Sequence, residues 1–118
     1  MLVIRKSQMK VFQNHMFGEF VNRSSRIVRA DYGEETKDIS DEDLRAIINA
    51  GIQKAKSYGI KYEDDVLQYL RYIIRYGAEF DADPKFSGIS EILDKDIDGT
   101  MKIILVNEYI ESNTMEKR

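Results

Sequence analysis

Apolar residues recur in steps of three and four through three successive windows of this chain, and that spacing is the signature of helices with one buried face. From about Ser7 to Ala30 there is no proline and one glycine, and Met9, Phe12, Met16, Phe20 and Ile27 share a face. The spacing predicts a long amphipathic N-terminal helix, with Gly18 marking a close helix crossing or a slight bend. After a polar stretch from Asp31 to Ile39, Ser40-Asp41-Glu42-Asp43 provides a hydroxyl cap and three acids for a helix's positive first turn. The helix that follows buries Leu44, Ile47, Ile48, Ile52 and Ala55 and stops at Gly59. A third helix spans about Tyr62 to Tyr76, with Glu63, Asp64 and Asp65 in its first turn, Val66, Leu70, Ile73 and Ile74 inward, and Gly77 as its stop. So short a connection predicts an antiparallel hairpin.

Further along, Phe80-Asp81-Ala82-Asp83-Pro84 reads as a turn into a short helix, with Asp83 as cap and Pro84 at the first helical position, ending near Leu93. The run Ile103-Ile104-Leu105-Val106 fits a helix or a buried strand by periodicity alone. A lone strand would lack a pairing partner, so a helix over Met101 to Ile110 is expected. The fold class expected is all-α: a small antiparallel bundle of four to five helices with a long N-terminal helix. One domain covers residues 1–118, with 1–6 and 112–118 frayed.

With 42% apolar and 33% charged residues the chain has enough apolar content to fold and too little charge excess to stay disordered. The absence of cysteine excludes disulfides, a thiolate nucleophile, iron–sulfur clusters and cysteine-ligated zinc. Met1-Leu2-Val3-Ile4 is too short for the apolar region of a signal peptide, Arg5 and Lys6 follow at once, and no later run has membrane-spanning length. A cytoplasmic location is expected.

The net charge of −3 is unevenly distributed: residues 1–30 hold six Lys/Arg against Glu19 alone, while residues 31–65 hold ten acids against five bases. Arg23, Arg26 and Arg29 recur every three residues and form a slanted basic stripe on a helix, a candidate protein-binding feature. Helix-end dipole and solvation also favour such cations, and the acidic whole argues against nucleic-acid binding. Tyr69, Tyr72 and Tyr76 are further protein-binding candidates, although core packing is the stronger expectation for them.

Asp94-Lys95-Asp96-Ile97-Asp98-Gly99 has the spacing that opens a calcium-binding EF-hand loop, which makes Asp94, Asp96 and Asp98 weak metal candidates. The twelfth position, where a bidentate Glu completes such a site, is Leu105, and Glu108 comes three residues too late. The competing reading is a turn in which Asp98 or Thr100 caps the last helix. His15, the sole histidine, would need an acid or hydroxyl partner to act in catalysis, and a boundary position on the first helix is preferred. No glycine-rich phosphate loop, paired-histidine metal motif or nucleophile elbow is present. Neither catalysis nor a cofactor is expected.

One ordered set of residues goes further. It comprises Met1 to Lys6 with Gln8-Met9, then Leu44 through Gly51-Ile52, Ala55, Tyr58-Gly59-Ile60, Asp65-Val66 and Tyr69, then Gly77, Phe80-Asp81, Asp83-Pro84 and Ile92-Leu93. In that order these residues resemble a family of small helical proteins associated with effector gene clusters of bacterial type VI and related contractile secretion systems. Lys61-Tyr62 departs from the pattern, which has a Ser or Thr cap there, and Asp94–Thr100 is not part of it. The resemblance implies a shared fold and, by context, a non-enzymatic adaptor or chaperone-like accessory that binds a secreted effector or its spike carrier. The alternatives are an immunity protein, whose Asp41, Glu42, Asp43, Glu63, Asp64 and Asp65 would cover a toxin's basic site, and a small toxin or hydrolase using His15.

Overall fold

The computed structural model describes residues 16–115. Six α-helices occur among them: α1 (Met16–Asp31), α2 (Gly33–Thr36), α3 (Asp41–Ser57), α4 (Glu63–Tyr76), α5 (Ser87–Asp94) and α6 (Gly99–Met115). The fold is all-α. The predicted first half of the N-terminal helix, with Met9, Phe12 and His15, lies outside the described residues, as do the expected frayed residues 1–6.

In α1 the buried line is Phe20, Ser24 and Val28, four residues apart, while Ile27 is only half-buried. Gly18 is exposed, and a Cβ built on it meets no other described atom within 4 Å, so it marks no crossing with another described helix. The polar stretch after α1 contains the single turn α2. That turn persists because its polar groups are satisfied from outside: the Thr36 hydroxyl donates to Tyr32 O at 2.8 Å, and Arg29 donates to Thr36 O at 2.8 Å and Ile39 O at 2.6 Å.

Helix α3 starts where predicted. Ser40 Oγ accepts from the Asp43 amide at 3.0 Å, a cap whose loss costs about 1 kcal/mol. At its other end Gly59 adopts φ 81°, its amide donates to Lys56 O at 2.9 Å and the Ile60 amide donates to Ala55 O at 3.0 Å. This pair of bonds is the Schellman arrangement, and the side chains of Ile60 and Ala55 that accompany it are fully buried. Ala46 and Ile47 share a groove with Ala78 and Glu79, and Gly51 faces Leu70 and Ile73, so α3 and α4 run antiparallel.

Phe80–Ala82 and Pro84–Phe86 each form a 3-10 turn before α5 begins at Ser87. Asp83 Oδ1 accepts from the Lys85 amide at 2.9 Å with Pro84 in the first turn, as expected, but the α-helix proper starts three residues later than Pro84. Helix α6 places Ile103, Val106 and Ile110 in the core and leaves Ile104 and Met101 45% exposed. It continues to Met115.

Three charged groups sit inside: Glu63, Asp81 and Lys102. Lys102 on α6 is 6% exposed, and its ammonium donates to Tyr58 O at 2.8 Å and Leu93 O at 2.7 Å. Those carbonyls belong to the C-terminal ends of α3 and α5, where the helix dipole is negative and favours a cation. Asp81, 4% exposed, accepts the Tyr58 hydroxyl at 2.5 Å and pairs with Lys54 at 3.1 Å. Burial alone would lower the Lys54 pKa; the hydrogen bond and charge of Asp81, followed by Glu79, outweigh it and raise the value.

Candidate functional site

Of the aromatic candidates, Tyr69 is 1% and Tyr72 5% exposed, and Tyr76 is half-buried. They belong to a ring cluster: Tyr69 lies 5.1 Å and Tyr72 5.7 Å from Phe80, and Tyr76 lies 5.4 Å from Phe86, between ring centroids. Tilted and edge-on pairs of this kind add to stability beyond the area buried. Burial raises the pKa of all three inner phenols: Tyr69 and Tyr58 strongly, the latter helped by Asp81, and Tyr72 to about 12. A patch available to a partner is not built from Tyr69 and Tyr72.

The three arginines of α1 separate in role. Arg23 pairs with Glu19 at 3.4 Å and with the buried Glu63 on α4. Arg29 is fully engaged, donating to Asp41 as well as to the two carbonyls that hold α2. Arg26 is exposed and forms no ion pair among the described residues. The stripe is therefore broken at both ends.

What replaces it is a cleft of about 390 Å³ between α1 and α3, lined by Asn22, Ser25, Arg26, Arg29, Asp41 and Arg45. Asn22, Arg26 and Arg29 fall four and three residues apart, so their shared face was readable in the sequence. Arg45 was missed: it comes from the facing helix, and only the packing of α3 on α1 brings it there. Its Nε donates to Asn22 Oδ1 at 3.2 Å, which fixes the guanidinium at the rim, and its two terminal nitrogens have no partner among the described residues. Three guanidiniums against one carboxylate leave the lining with two net positive charges.

The acids behave differently. Asp98 Oδ2 accepts from the Thr100 amide at 3.2 Å at the start of α6, the capping role weighed for it above. Among the described residues no three acidic or histidine side chains converge as a metal cage, and Asp94, Asp96 and Asp98 are not brought together as one. The acidic first turns of α3 and α4 lie at opposite ends of the hairpin, roughly 25 Å apart for a helix of this length. Glu63 is buried, Asp65 accepts from Thr100 at 2.5 Å, and Asp41 pairs with Arg29 at 3.0 Å. The six acids do not form one continuous patch. His15 lies outside the described residues. No described helix is long and apolar enough to cross a membrane.

Comparison with protein-family models, curated proteins and solved structures found no match to this chain.

Proposed function

We propose that the chain is a non-enzymatic protein-binding accessory, an adaptor or chaperone-like protein that engages a secreted effector or its spike carrier in the cytoplasm of the producing cell. The observation that carries the reading is the α1–α3 cleft, where Arg26 and Arg45 are exposed on rigid helices and are not consumed by internal ion pairs. Arginine is enriched at protein interfaces because its planar fork forms several directed bonds at once. The resemblance of its ordered motifs to small proteins of contractile secretion clusters is what suggests the biological context.

The test is affinity capture with the full chain as bait at low salt, followed by mass spectrometry and an activity assay on what is recovered. An accessory retains a toxin or spike protein and leaves the toxin active. Recovery of a toxin that the chain silences would instead mark an immunity protein, and a chain that retains neither component overturns the proposal.

A further inference from the structure

The cleft that supports this reading also specifies what should enter it. Arg29 is held by Asp41 and two carbonyls, so its charge serves the wall rather than a ligand. The donors left over are the Arg26 guanidinium and the two terminal nitrogens of Arg45, with the Asn22 amide beside them. Two forks of this kind match carboxylate oxygens in pairs. At about 390 Å³ the cleft lies at the small end of ligand sites, with room for one or two side chains.

Resting on the accessory-protein reading, we infer that the α1–α3 cleft grips carboxylate side chains of an acidic segment on the partner, through Arg26 and Arg45. A nucleic acid is the poorer match. A phosphate backbone needs a continuous run of cations, whereas Arg23 is tied to Glu19 and Glu63, and the first turn of α3, which supplies Asp41 to the lining, also carries Glu42 and Asp43. Those acids would repel a long polyanion while leaving a single inserted carboxylate in contact with the guanidiniums.

The experiment titrates the full chain with a fluorescent peptide that carries two glutamates in an otherwise neutral sequence and with its glutamine counterpart. The glutamate peptide is expected to bind at least about tenfold more tightly and to weaken as salt is raised, because exposed charges are screened beyond about 10 Å at 0.1 M. Arg26→Gln and Arg45→Gln should each weaken it severalfold and together remove the preference, with unchanged melting temperatures showing that both variants fold. Equal binding of the two peptides, or no binding at millimolar concentration, overturns the inference. Tighter binding of a short oligonucleotide through the same arginines does so too, as does a dimer that the double variant dissociates. Capture of the cellular partner separates the two levels: a partner that the double variant retains refutes the cleft assignment alone, whereas a parent chain that retains none refutes the accessory role.

Discussion

Replacing Gly99 by alanine should cost more stability than the same change at Gly51 or Gly88, although all three glycines sit where helices meet. A Cβ at Gly99 would lie 2.3 Å from Gly59 O, 2.8 Å from Ile60 Cα and 2.9 Å from Gly59 C. These are backbone atoms of the turn that ends α3, held by the Gly59 and Ile60 amide bonds, so relief requires α6 to move away. At Gly51 the obstacles are Ile73 Cδ1 and Leu70 Cδ2, both at 2.7 Å, and at Gly88 the ring of Tyr109, at 2.2 Å. Those are ends of side chains that can rotate. Overpacking costs about 1–3 kcal/mol. Alanine in a helix interior returns up to about 1 kcal/mol relative to glycine, a gain open to Gly51 in the middle of α3 but small for Gly99 at the first position of α6. The net expectation is a loss of about 2–3 kcal/mol at Gly99 and about 0–2 kcal/mol at Gly51. At roughly 5 °C per kcal/mol, Gly99→Ala should melt about 10–15 °C below the parent by circular dichroism. A Gly99→Ala chain as stable as the parent, or less perturbed than Gly51→Ala, would refute the account of how α6 seats on the α3–α4 turn.

Three further outcomes are expected. Tyr72→Ala should lower stability by about 3–5 kcal/mol in urea unfolding, because the ring leaves a void against Phe80; a near-neutral change would mean the ring is not core. Stability should hold up to about pH 10 and fall above it. The unfolded chain ionises its phenols near their ordinary value, while Tyr72 stays neutral to about pH 12 when folded, so raised folded values favour the unfolded state as pH climbs; Lys54, also raised, acts in the same sense. Tyrosinate absorbance that rises for all tyrosines near pH 10 without unfolding would contradict this. Ser40→Ala should cost about 1 kcal/mol, and Ser40→Asp should recover most of it in the same unfolding assay.

Much of this fold was legible because helix signals are local. The Ser40 cap, the stops at Gly59 and Gly77, and the Asp83-Pro84 turn each depend on residues within one turn of one another, and each lies where the pattern put it. The choice of helix for Ile103 to Val106 rested on the lack of a partner strand, and α6 divides that run between core and solvent. What escaped were pairings across elements. Arg23 meets Glu63 forty residues away, Arg45 meets Asn22, and Lys102 meets Tyr58 and Leu93, so periodicity, which reports only which face a residue occupies, could not reveal them. The tyrosines illustrate the same limit. Tyr69 and Tyr72 stand at helical positions compatible with either face edge, and it is the turn carrying Phe80 that closes over them.

The buried ammonium of Lys102 gives the chain a schedule. As a polypeptide is made from its N-terminus, α3, α4 and α5 emerge with the Tyr58 and Leu93 carbonyls still facing water, and both gain their cation only when α6 is added. A nascent chain halted before residue 99 can thus form the hairpin but cannot finish two of its helix ends, which makes the last helix the step that commits the molecule to its final shape.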